Sequence, residues 1–93
     1  MRPGSVRLLM QGVADLIRRI EAVAREQDGR QVLRVAVWLG AFSHLSAEHF
    51  AEHFRVAAAG TIAAGAALDI EVSADTGHPD AQHLVLRSLE VAL

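Results

Sequence analysis

Apolar positions recur along this chain at two periods, and the changes of period divide it into elements. Val13, Leu16, Ile17, Ile20, Val23 and Ala24 return at steps of three and four, which sets them on one face of an amphipathic helix. Asp15, Arg18, Arg19, Glu21, Arg25 and Glu26 fill the other face, with Glu21 and Arg25 at the i,i+4 spacing of a helical ion pair. Before this helix, Met1 to Gly4 carries no periodic signal and is expected to be loose, with Ser5 as the helix N-cap. Asp28-Gly29 should end the helix, Gly29 taking the left-handed position.

The period then drops to two. Val32 to Leu39 is β-branched and apolar, a strand with Leu33, Val35, Val37 and Leu39 on one face and Arg34, Ala36 and Trp38 on the other. Gly40 ends it. Ser46 caps a second helix from Ala47 to Ala59, in which Glu48 suits the positive end of the helix dipole. Phe50 and Phe54, four apart, turn its apolar face toward the core, and Gly60 supplies the stop. After a short connector from Thr61 to Gly65, Leu68, Ile70 and Val72 alternate with Asp69, Glu71 and Ser73, the pattern of a half-buried strand. Asp75 to Asp80 is turn chemistry throughout and leads to a last strand from Gln82 to Ala92. There Val85, Leu89 and Val91 share one face, and Leu84 and Leu86 the other.

A strand–helix–strand unit gives a parallel crossover, and two strands joined by a short turn pair antiparallel. The prediction is an α+β fold, two helices packed on one face of a three-stranded mixed sheet, in the order helix, strand, helix, strand, strand. Residues 1–93 form a single domain. The uncovered sheet face carries Trp38 beside Ala36 and Arg34, either a docking or dimer patch or a further piece of core.

Composition narrows the function. Nine basic and eleven acidic residues give a net charge of −2 with no long run of either sign, which excludes a general nucleic-acid binder. No apolar run approaches the roughly 20 residues that cross a bilayer, and Arg2, Arg7, Gln11 and Asp15 interrupt any N-terminal signal core. A cytoplasmic protein is expected. At 93 residues with 52% hydrophobic content, the chain is a small domain in which self-association commonly supplements stability. Cysteine is absent, so any metal must be held by histidine, carboxylate or backbone nitrogen, a set suited to nickel, copper or zinc.

The candidate chemistry is histidine. His49 and His53 are i,i+4 on the second helix with Glu52 between them, and His44 lies in the preceding turn. Two histidines at this spacing can share a metal ion. The string His49-Phe50-Ala51-Glu52-His53 also fits H-x-x-E-H, the pattern of a zinc peptidase, which further requires a third ligand and a substrate cleft. The same residues equally describe the solvated face of a helix whose Phe50 and Phe54 point inward. His78 and His83, flanking the final turn, read as solvent-facing.

The run from Leu39 to Glu71, with Gly40, Ser43, Phe50, Phe54, Gly60-Thr61, Gly65-Ala66 and Leu68-Asp69-Ile70-Glu71, resembles the HypA/HybF family of nickel-insertion accessory proteins for [NiFe] hydrogenases. The helix from Met10-Gln11 to Ala24 and the closing Arg87 to Val91 extend the resemblance over most of the chain. It implies the fold, a non-enzymatic role, and as partners a hydrogenase large subunit or a nickel-handling GTPase. Two departures stand out. Family members begin Met-His-Glu and hold nickel there, whereas Met1 is followed here by Arg2 and Pro3, and proline has no amide nitrogen to deprotonate. Family members also insert a four-cysteine zinc module where this chain has only Asp75 to Asp80, so no structural zinc is expected. Three readings follow. The chain is a HypA-like accessory protein that carries nickel through other ligands or docks on the apoenzyme, a metal-free interaction subunit of a hydrogenase, or a small H-x-x-E-H metal hydrolase.

Overall fold

The computed structural model describes residues 2–10 and 12–92, with side chains from Met10 onward. Met1, whose amine a terminal nickel site would use, and Gln11 lie outside the described residues. The elements are β1 (Arg2–Met10), α1 (Val13–Glu26), β2 (Gln31–Leu39), α2 (Ala47–Ala58), β3 (Ala67–Val72) and β4 (Leu84–Ala92). The fold is α+β, and from Val13 onward the elements follow the expected order. Both helices pack on one face of a mixed sheet and share one apolar core with it.

The sheet also has a strand that the sequence did not announce. Arg2 to Gly4, expected to be loose, and Ser5, expected to cap a helix, belong to β1, where Ser5 faces Ser88 in an antiparallel pairing with β4. Helix α1 starts later, after Gly12, with no side-chain cap. β1 pairs with the far end of the chain, from Arg2 opposite Val91 to Met10 opposite Leu84, and pairing at that distance leaves no local period to read.

The strand order is β1-β4-β2-β3. β2 and β3 are parallel, as a crossover through α2 requires. The last two strands do not form a hairpin. β4 instead passes beyond the end of β2 and inserts between β2 and β1, antiparallel to both. This central place buries Leu84, Leu86, Leu89 and Val91, which a hairpin on the β3 edge would leave half covered.

Two register shifts explain which side chains face the core. Val32 pairs with Val91 and Arg34 with Glu90, so Leu33 is an extra residue in β2. Consequently Val32, not Leu33, joins Val35, Val37 and Leu39 in the buried set. Ala36 pairs with Ser88 and Val37 with Leu86, so Arg87 is the extra residue in β4. It brings Leu84 and Leu86 onto the same face as Leu89 and Val91 and leaves Val85 opposite Trp38 on the far side. A one-residue bulge inverts the alternation beyond it.

The helices follow the pattern closely. Leu16, Ile17, Ile20 and Ala24 of α1 and Phe50, Phe54 and Ala58 of α2 are buried, and the two phenylalanine rings lie 6.0 Å apart. At the end of α1 the left-handed residue is Asp28 (φ 55°), not Gly29. Gly29 is needed for space, because a Cβ there would sit 3.0 Å from that of Val91.

Candidate functional site

α2 carries the predicted metal residues on its outer face. The Ser46 hydroxyl accepts the His49 backbone N–H at 3.1 Å, satisfying one of the free donors of the first turn. With Phe50 and Phe54 fixed inward, the helix turns His49, Glu52 and His53 to solvent, and all three are exposed. His44 is also exposed and belongs to the β2–α2 loop, not to the helix face; its backbone is left-handed at φ 61°, a conformation that histidine tolerates better than branched residues. Among the described residues no three histidine, aspartate or glutamate side chains come together as a metal cage. His49, Glu52 and His53 form an open arrangement on the surface of α2.

The second region lies at the C-terminal end of β2, where the connection from β3 to β4 crosses over. The Gly40 N–H donates to the His83 carbonyl at 2.9 Å and the Phe42 N–H to the Ala81 carbonyl at 2.6 Å. The strap runs so close that a Cβ on Gly40 would overlap the Ala81 carbonyl. Within it, the Gly77 N–H bonds the Asp75 carboxylate at 3.0 Å and the Asp80 N–H bonds Nδ1 of His78 at 2.9 Å. That bond makes Nδ1 an acceptor and fixes the ring, whose centroid lies 4.7 Å from that of Trp38. His78, expected to face solvent, is half-buried against the only tryptophan of the chain. His83 is likewise partly covered, with Nδ1 3.8 Å from an Asp80 carboxylate oxygen.

Trp38 thus stands on the uncovered sheet face, with its indole roofed by the strap. Ala36 lies two residues away on the same face, and Arg34 donates through Nη1 to both carboxylate oxygens of Asp69 at 2.9 and 3.0 Å. Arg87, the bulged residue of β4, reaches Glu71 at 3.0 Å. The predicted docking residues therefore share a face with two cross-strand ion pairs. The sequence pattern missed both pairs and the His78 contact, since each joins residues brought together only by the strand order. No signal short of the bulge at Arg87 would have located the second pair.

The structure thus presents histidines on the outer face of α2 and two ion pairs on the open face of the sheet. The sequence matches a family model over residues 9–78, described as hydrogenase/urease nickel incorporation, metallochaperone, hypA. The chain belongs to the HypA family. The match runs from the last residues of β1 through α1, β2, α2 and β3 to the middle of the strap. Among curated proteins, none matches.

Proposed function

We propose that this chain is a non-enzymatic accessory protein in the maturation of a nickel enzyme, a hydrogenase or one handled by the same route, and that it works in the cytoplasm. The family match over residues 9–78 carries this reading. In it, His49 and His53, with Glu52 beside them, form a transfer contact on the outside of α2, and His44 is an auxiliary ligand from the adjoining loop. An open two-histidine contact suits cargo that must leave again, because few protein ligands hold the ion and a partner's groups can replace them. The partner is the large subunit of the enzyme or a nickel-handling GTPase, met by the sheet face around Arg34, Ala36 and Trp38.

A second reading is supported by the strap. The connection between β3 and β4 contains no cysteine, so the four-cysteine module implied by the family resemblance has no counterpart there. A subunit that docks without carrying metal fits that loss. Isothermal titration of nickel into untagged protein separates the two readings. The carrier reading expects saturable binding that His49→Ala with His53→Ala weakens at least about tenfold, a change of roughly 1.4 kcal/mol. Equal affinity in both proteins would remove these histidines from any carrier role and leave the docking subunit. Retention of tightly bound zinc after mild chelation would revive a hydrolase.

A further inference from the structure

We propose that the free edge of β3 docks an extended segment of a partner protein in which apolar side chains alternate with lysine or arginine. The proposal stands apart from nickel handling and does not depend on which enzyme is served.

Among the described residues, β3 lies at the end of the sheet and pairs only with β2. The Ser73 N–H donates to the Leu39 carbonyl at 2.9 Å, which fixes the alternation of the strand. Asp69, Glu71 and Ser73 direct their backbone groups to β2, and Leu68, Ile70 and Val72 direct theirs outward. The β2–β3 register is unbroken over all six residues of β3, which contain no proline and no bulge; of the devices that normally protect an edge it carries only the charges of Asp69 and Glu71, which repel an acidic strand but not a basic one. The opposite edge is interrupted, since β1 contains Pro3 and shifts register between Ser5 and Leu8.

The surroundings define what an added strand must look like. On the helix side of the edge, Ala51, Phe54, Ala58, Ala66, Leu68 and Ile70 line a largely apolar groove between α2 and β3 whose lining also includes the exposed Arg55, and Val72 on the same side is 52% exposed. Every second side chain of an added strand would enter this groove. On the other side stand the carboxylates of Asp69 and Glu71, with side chains 57% and 62% exposed. Each is held from the inner side by an arginine of another strand, Arg34 on β2 and Arg87 on β4. A cation on the incoming strand would complete a row of alternating charge. A second copy of this chain is a poor occupant. Antiparallel pairing of two β3 strands about Ile70 sets Asp69 opposite Glu71 of the other copy, and parallel pairing sets each acid beside itself; like charges so placed are destabilising. Main-chain bonds supply affinity in strand addition and the alternating pockets supply specificity.

The test uses the full chain and two fluorescein-labelled, end-blocked heptapeptides, one alternating valine with lysine and one alternating valine with glutamate. Fluorescence polarisation should show saturable binding of the basic peptide, weakened by salt, and at least about tenfold weaker binding of the acidic one. Val72→Pro removes an outward N–H without touching the ladder to β2 and should weaken the basic peptide about tenfold, with an unchanged thermal midpoint showing that the fold persists. Val72→Lys, which keeps the backbone donor, should also weaken it through charge. Asp69→Lys with Glu71→Lys should reverse the preference toward the acidic peptide. Absence of saturable binding, or equal binding of both peptides, would overturn the proposal. So would a wild-type dimer in sedimentation that Val72→Pro converts to monomer, which would make the occupant a second copy. Nickel titration should be indifferent to Val72→Pro, so failure here leaves the proposed function standing.

Discussion

The two faces of the sheet are cut from the same strands and held by different physics. On the covered face, Val35, Leu39, Leu86 and Leu89 meet Leu16, Ile20 and Phe50, all fully buried, and every apolar atom removed from water contributes. On the open face, Arg34–Asp69 and Arg87–Glu71 are exposed ion pairs, which contribute little to stability in water. One face specifies the fold, and the other is free to vary in what it presents to a partner at small cost to folding. Trp38 marks the boundary between them, a large aromatic on the open face that is shielded by one histidine of the strap.

That contrast can be broken by substitution. Phe50→Ala should cost about 3–5 kcal/mol by chemical denaturation, as expected for a buried aromatic; a loss below about 1 kcal/mol would mean that α2 is not held by the core described here. Gly40→Ala comes next, at about 1–3 kcal/mol from overpacking against the Ala81 carbonyl. Because the strap also carries His78, this variant should change the fluorescence of Trp38 as well as the melting point. Ser46→Ala removes the only side-chain acceptor at the start of α2 among the described residues and should cost about 1 kcal/mol. On the open face, Arg34→Ala and Arg87→Ala should each cost under about 1 kcal/mol, with the difference from wild type shrinking in salt. A loss above about 2 kcal/mol from either would erase the distinction between the faces. Smallest of all, His49→Ala with His53→Ala should leave stability within about 0.5 kcal/mol of wild type, so that any loss of nickel affinity reports on binding alone.

Legibility in the sequence followed the range of the interactions. Both helices, the Ser46 cap and the outward turn of His49, Glu52 and His53 depend on residues three or four apart and were readable. Val32 to Leu39 and Leu68 to Val72 are readable as strands, but simple alternation places Leu33 with Val35 in β2 and Val85 with Leu89 in β4, where the structure has Val32 and Leu86. An alternation rule has no way to foresee an extra residue at Leu33 or Arg87. His78 departs from its solvent-facing expectation for a related reason. His78 becomes half-buried because its own turn presents it to Trp38, forty residues earlier, and nothing beside it in the chain says so.

What the sequence determined alone was its repertoire of elements, its lack of cysteine and therefore of thiolate metal sites, and enough turn and packing residues to mark the family. The tertiary structure decided the strand order, the fourth strand and the pairing of Arg34 with Asp69 and Arg87 with Glu71. It also decided which edge of the sheet is left open. The division has one physical cause. Local geometry follows from steric and hydrogen-bonding preferences within a few residues, whereas register, edges and charge pairs are chosen by which distant strands bury the most apolar surface together. β4 satisfied that demand by leaving β3 and inserting between β1 and β2, and the Arg87–Glu71 pair on the open face follows from that choice.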